Sequence, residues 1–264
     1  MFFGFENISV SYGKKQVLRD LTLEVPQGEI VALIGPNGCG KSSLLKTVSR
    51  AVIPSTGRVM LEGRPLEDYK PRQMAQRIAY LPQERPIPDD MDVETLVSYG
   101  RYPHRTVGRG MTAADRAVIE RVLDETRLRV LRHASLNTLS GGELQRARIA
   151  MNLAQEPMVL ILDEPTTHLD IGYQLEILEL LRRLNRTMGL TVLMVLHDID
   201  LAARFADRIC AIHGGTVGAC GTPDEVITAQ NMRKLFGIHA EILRDERNHC
   251  PYPRPIARIH EEED

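Results

Sequence analysis

The sequence predicts an α/β fold: a parallel-sheet core, an antiparallel β subdomain at its start and an inserted helical subdomain. Three observations predict it. The runs Ile30–Ile34, Met158–Leu162 and Thr191–Leu196 are short and almost wholly apolar, as strands buried on both faces are. Helix-like segments separate them, which parallel strands require. The stretch from Phe5 to Val25 instead alternates (Ile8, Val10, Tyr12, then Leu21, Leu23, Val25), as antiparallel strands with one covered face do.

Taken in order, turns at Gly13-Lys14-Lys15 and Pro26-Gln27-Gly28 bound the first strands. A strand over Arg58–Leu61 turns at Glu62-Gly63, and Ile78–Leu81 ends at Pro82-Gln83. Residues 84 to about 157 change character, with early prolines (Pro86, Pro88, Pro103) and then helical periodicity at Val118, Ile119, Val122 and Leu123. This stretch reads as the helical insertion. Ser140 opens a helix through about Ala154 that Pro157 stops, and Leu175–Leu184 reads as another. Residues 1–247 form the folded domain. The tail 248–264, with Pro251, Pro253 and Pro255 before Glu261-Glu262-Glu263-Asp264, reads as loose, and His260 among its acids as part of a solvated terminus.

Composition narrows the classes. A chain of 264 residues with 43% hydrophobic and 26% charged residues is an ordinary globular protein with material for a large core. Its net charge of -2 gives no support for a nucleic-acid partner. No apolar run reaches the roughly 20 residues that span a bilayer, and the start lacks the features of a secretory signal, so a cytoplasmic location is expected. Cysteines 39, 210, 220 and 250 show no metal-binding spacing. With a two-residue turn at Gly214-Gly215, Cys220 would face Ile209, so a bridge to Cys210 is not expected.

Between the strand Ile30–Ile34 and a helix-like segment lies Gly35-Pro36-Asn37-Gly38-Cys39-Gly40-Lys41-Ser42, followed by Ser43. It fits a phosphate-binding loop, in which glycines let backbone N–H groups and a helix N-terminus converge on an anion. Lys41 would reach the β- and γ-phosphates, and the Ser42 hydroxyl would ligate Mg²⁺. The core is therefore expected to be a P-loop NTPase (RecA-like) domain binding a nucleoside triphosphate. Asp163, after a buried strand, stands where a Mg²⁺-holding carboxylate belongs, and Glu164 can act on the attacking water. Gln83 suits contact with Mg²⁺ or that water. His197 follows the third buried strand, over the expected γ-phosphate. Gly35, Gln83, Asp163 and His197 would thus meet at the strands' C-terminal ends. Tyr12 by spacing alone is a half-buried strand aromatic; its functional reading is an adenine-stacking ring. Ser140 and Glu143 form a capping box, yet Gly141 and Gly142 weaken a first helical turn, and bare backbone there suits approach to a phosphate.

These motifs, in this order and over nearly the whole length, resemble the ATP-binding subunits of ABC transporters. Leu139-Ser140-Gly141-Gly142-Glu143 is similar to the family signature and places Ser140 23 residues before Asp163. Glu143 departs from the usual glutamine. The resemblance implies an ATP- and Mg²⁺-dependent ATPase working as a head-to-tail dimer, with Ser140 to Glu143 of one copy facing the phosphate loop of the other. It assigns Tyr12 to adenine, Asp170 to communication between sites, and Gln83 with the insertion after it to a membrane permease. A periplasmic or surface substrate-binding protein and a peripheral place at the cytoplasmic face of the bacterial inner membrane go with it.

A finer similarity joins Tyr99–His104, Pro165–Asp170, Gly221–Val226 and Phe236-Gly237 to importer ATPases for ferric siderophores, haem and cobalamin. Tail length and Cys250 resemble the siderophore group. Haem or cobalamin is the alternative cargo. A soluble ABC ATPase scaffold, as in iron–sulfur cluster assembly, is the reading from another class.

Overall fold

The computed structural model describes residues 1–83, 91–106, 108 and 110–259. Expectations placed on Pro86, Pro88 and on His260 through Asp264 lie outside the described residues. The chain divides into two compact units, residues 1–68 with 191–264, and residues 69–190.

In the first unit, β1 (Phe3–Tyr12) and β2 (Lys15–Val25) pair antiparallel, as the alternation predicts. Then come β3 (Ile30–Ile34), α1 (Lys41–Val48), β4 (Thr56–Leu61) and β5 (Arg64–Pro65). The antiparallel sheet runs β2-β1-β4-β5. Every residue of β3 is buried, which is what an unbroken apolar strand requires.

The second unit opens with α2 (Pro71–Ala75) and β6 (Ile78–Leu81). Helices α3 (Val93–Tyr99), α4 (Ala113–Glu125) and α5 (Gly141–Leu153) follow, then β7 (Val159–Leu162) and α6 (Ile171–Met188). β6 and β7 are parallel, Leu81 opposite Leu162. The compact unit is wider than the insertion expected over 84–157, because α5 packs on β6 and on α6. Helix α6 is also longer than Leu175–Leu184: Asp170 caps its start by accepting from the Tyr173 N–H at 3.0 Å, and Gly189 ends it in a left-handed conformation.

One guanidinium joins three helix ends in this unit. Arg101, beyond the end of α3 and 5% exposed, donates to Asp115 in the first turn of α4 at 2.9 Å. Its Nη1 donates to the Ala154 carbonyl and to Glu156, each at 2.8 Å, beyond the end of α5. Asp115 also accepts from the Thr112 hydroxyl, and these bonds hold its carboxyl down at about 2.

The first unit resumes with β8 (Thr191–Val195), α7 (Ile199–Phe205), β9 (Arg208–His213) and β10 (Thr216–Gly221). Here β3 lies between β8 and β9, parallel to both. After α8 (Pro223–Val226) and α9 (Ala229–Phe236), β11 (Ile238–Arg244) and β12 (Pro251–Arg258) form a hairpin.

Two expectations about this end of the chain are corrected. Cys210 and Cys220 are disulfide-bonded, with Cα atoms 4.2 Å apart. A bulge causes it: Val217 opposes Ile212 but Ala219 opposes Ala211, so Gly218 is an extra residue and Cys220 slides opposite Cys210. A Cβ on Gly218 would stand 2.5 Å from Leu235, the α9 side chain that fills the space. The tail is also not loose through 258. Asp245 donates to the Cys250 carbonyl, and Pro251, Pro253 and Pro255 pair at alternate positions with Arg244, Ile242 and Ala240. Their nitrogens therefore face away from β11, where a strand tolerates proline.

Among the described residues no helix is long and apolar enough to cross a membrane.

Candidate functional site

The site residues fall in both units, and each group is built by its own local structure. In the first unit the chain leaves β3 through Gly35, whose φ of 145° suits glycine; a Cβ there would lie 2.2 Å from the Ile212 carbonyl of β9. The loop turns on, Cys39 N–H reaching the Pro36 carbonyl, and Gly40 at φ 109° begins α1 with no side-chain cap. The first-turn N–H groups of α1 thus meet the loop at a helix N-terminus, the arrangement that binds anions. Lys41 is only 5% exposed. Its ammonium donates to the Gly35 and Pro36 carbonyls at 2.7 and 3.0 Å and approaches the Cys39 sulfur at 3.8 Å, so the loop itself holds the cation in place. Asn37 and Gly38 form the exposed crest, and Ser42 and Ser43 follow Lys41 in the helix.

Tyr12 ends β1 with 49% of its surface exposed, and its hydroxyl donates to Ser43 Oγ at 3.3 Å. The ring is thereby tied to the phosphate loop, which the strand pattern alone does not reveal. His197 is exposed, two residues beyond β8. Since β8 lies beside β3 in parallel register, Gly35 and His197 leave the same edge of the sheet.

In the second unit, Asp163 and Glu164 leave β7 beside the end of β6, and the Asp163 N–H extends the pairing to the Leu81 carbonyl. Asp163 is 3% exposed, with the Tyr80 hydroxyl 3.4 Å from Oδ2. Glu164 sits at φ 56°, an uncommon conformation for a residue with a side chain. Its Oε2 accepts from Gln83 Nε2 at 2.7 Å and from Thr167 Oγ1 at 3.1 Å. The structure thus brings together Gln83 and Glu164 at the ends of β6 and β7. Tyr80 and Thr167 were not singled out in the sequence. Tyr80 carried a signal, a polar-tipped ring within an otherwise apolar strand.

A second group in this unit surrounds the start of α5. Ser140 caps it: its N–H and its hydroxyl both donate to Glu143 Oε2 at 2.8 Å, and its Oγ accepts from the Glu143 N–H at 3.3 Å. Those bonds, the backbone one foremost, hold the Glu143 carboxyl below its usual range. Gly141 and Gly142 form the first turn, Gln145 reaches the Pro165 carbonyl at 2.9 Å, and Arg146 pairs with Glu176 of α6 at 2.8 Å. Asp170, the α6 cap, completes the group.

The residues present suit Mg²⁺. Ser42 in the first unit and Asp163 in the second each offer a hard oxygen donor of the kind Mg²⁺ takes. Mg²⁺ is commonly held by one or two protein oxygens together with phosphates and water.

A glycine-built phosphate loop after a buried parallel strand, and an Asp-Glu pair after another, define a P-loop nucleotide hydrolase. The chain belongs to the ABC transporter family: the model for that family matches residues 18–167. It is an ATPase of that family. It is 42% identical over 253 residues to the ferric enterobactin transport ATP-binding protein FepC of Escherichia coli, covering 96% of this chain and 93% of that one. It is 44% identical over 246 residues to the iron(3+)-hydroxamate import ATP-binding protein FhuC of Bacillus subtilis, covering 93% and 91%. The fold matches a chain of a metal-chelate type ABC transporter in an inward-facing conformation, at TM-score 0.84 and 25% identity over 97% of this chain and 98% of that one.

Proposed function

We propose that this chain is the ATP-hydrolysing subunit that drives uptake of a ferric siderophore through a separate membrane permease, at the cytoplasmic face of the membrane. The observation that carries the cargo is the likeness, end to end, to two ATP-binding proteins of iron-chelate import. The chemistry rests on the site. Tyr12 stacks on adenine, while the 35–43 loop cradles the phosphates through backbone N–H groups and the Lys41 ammonium. Ser42, Asp163 and the Gln83 side-chain oxygen would hold Mg²⁺, which would supply charge neutralisation at the phosphates. Glu164 takes or orients the proton of the attacking water, with Gln83 fixing the carboxylate by the 2.7 Å bond. His197 donates toward the γ-phosphate as charge develops there.

Two copies pack head to tail, and Ser140 through Glu143 of one copy meet the nucleotide of the other, with Asp170 at the same junction. A permease and a substrate-binding protein complete the system. The test is uptake of labelled ferric siderophore, haem and cobalamin by host cells carrying Lys41→Ala. Loss of siderophore uptake alone is expected. Loss of haem or cobalamin uptake instead would reassign the cargo, and normal entry of all three would overturn transport. Purified Glu164→Gln is expected to bind ATP, hydrolyse almost none, and run as a dimer in gel filtration; a monomer at saturating Mg-ATP, with the permease present, would sink the paired arrangement.

A further inference from the structure

The two glycines that open α5 are not equivalent. A Cβ on Gly141 would find its nearest neighbour, Leu169 Cδ2, at 3.4 Å, an ordinary contact. A Cβ on Gly142 would lie 2.1 Å from Tyr173 Cδ1, 2.5 Å from Cγ and 2.7 Å from Cε1. The ring of Tyr173 occupies the place a side chain at 142 would take. Backbone conformation gives no reason for glycine there, because Gly142 is helical and not among the residues of positive φ. Glycine at such a position weakens the helix by about 1 kcal/mol relative to alanine. Something in the surroundings offsets that cost.

We propose that Tyr173 is the positioning residue of the Ser140–Glu143 turn, and that Gly142 lacks a side chain to receive its ring. The ring cannot easily yield. Its Cγ moves only by rotation about χ1, and the Tyr173 backbone is pinned where its N–H donates to Asp170 at 3.0 Å. One turn further along both helices, Arg146 and Glu176 pair at 2.8 Å. Residues 142 and 146 of α5 therefore face 173 and 176 of α6 in two successive rungs, each at the helical spacing that keeps a face in line. Asp170 caps the helix that carries the ring, the ring seats Gly142, and the same turn holds Ser140. A displacement at Asp170 is passed by contact to the turn. This role rests on the functional reading above, in which that turn meets the partner's nucleotide; the packing claim does not.

The test is a size exchange in the full-length protein: Gly142→Ala, Tyr173→Ala, the double variant, Gly141→Ala and Tyr173→Phe. Urea midpoints and the kcat and KM for ATP are measured with the permease present. Gly142→Ala is expected to lower the midpoint and to cut kcat about tenfold, the scale of an overpacked contact. Adding Tyr173→Ala is expected to recover most of the loss in midpoint but not the loss in kcat, because the clash is relieved while the ring that seats the turn is gone. Gly141→Ala should leave the midpoint at or above that of wild type, and Tyr173→Phe, which keeps the ring, should hold kcat and KM within about twofold of wild type. If Tyr173→Ala does not fold, Tyr173→Leu takes its place in the cycle. A double variant no more stable than Gly142→Ala, a double variant with wild-type kcat, or a Gly142→Ala protein as stable as wild type overturns the proposal. Absence of ATPase in the wild-type complex would instead defeat the functional reading, while the urea cycle still decides the packing.

Discussion

Two glycine-bearing turns lie at the heart of this molecule, and they use glycine for different reasons. In the phosphate loop, Gly35 and Gly40 adopt φ of 145° and 109°, conformations that a side chain resists. At the start of α5, Gly142 is helical, and the missing side chain leaves room for Tyr173. The first need is local and belongs to the backbone. The second arises from a ring on the next helix. Identical residues at comparable helix starts therefore answer to different substitutions: the loop fails through conformation, and the signature turn through packing.

The largest effect is expected in the loop. Gly35→Ala combines a disfavoured conformation with a 2.2 Å approach to the Ile212 carbonyl. Strain of that kind costs about 3 kcal/mol or more, so a fluorescent ATP analogue should bind on the order of 100-fold more weakly. Binding within threefold of wild type would show that the loop conformation is not what holds the phosphates.

Next comes the side-chain-built region. Arg101→Met leaves the buried Asp115 carboxylate without its cation, while Glu156 keeps its pair with Arg121, a loss of about 3 kcal/mol. Urea unfolding should show it, and a change below about 1 kcal/mol would demote the junction to a surface pair.

A smaller effect is tied to pH. The folded Asp115 carboxyl lies at about 2, below its ordinary 3.8. A lowered folded value contributes stability that is full above the unfolded value and is lost as pH falls through the folded one. Between pH 5 and 2 this should remove about 2 kcal/mol. Asp115→Asn should flatten that part of the stability curve; an unchanged slope would place the proton uptake elsewhere.

The smallest effect is expected for Glu143→Gln. The glutamine can still accept from the Ser140 N–H, so the capping box survives, and only the negative charge beside the helix start is lost. A destabilisation under about 1 kcal/mol is expected in thermal melts. A drop of several kcal/mol would make the carboxylate, and not the box, the element that holds the turn.

Much of the site was legible in the chain because it is carried by short stretches. Residues 35–42 contain strand end, loop and helix start within one motif, and Asp163-Glu164 and His197 advertise themselves by standing after unbroken apolar runs. The capping box of Ser140 and Glu143 was likewise readable from spacing. Tyr12 was not, since its tie to Ser43 joins distant parts of the chain. Tyr173 and Thr167 gave no local sign, for their roles depend on which side chain another element presents. The cysteine pair was misread because Leu235 of α9 fills the space over Gly218 and a bulge there shifts the register by one residue. The proline-rich end was misread because alternate prolines look like a strand breaker until a partner strand shows which edge their nitrogens face.

By itself the sequence determined the strand and helix types, the phosphate loop, the acidic pair and the family, because backbone preference and hydrophobic period act over a few residues. Only the tertiary structure decided which glycine serves a conformation and which serves a neighbour, how β10 registers on β9, and that Arg101 joins three helix ends. Those depend on shape and charge brought together from far along the chain, where no short pattern records them.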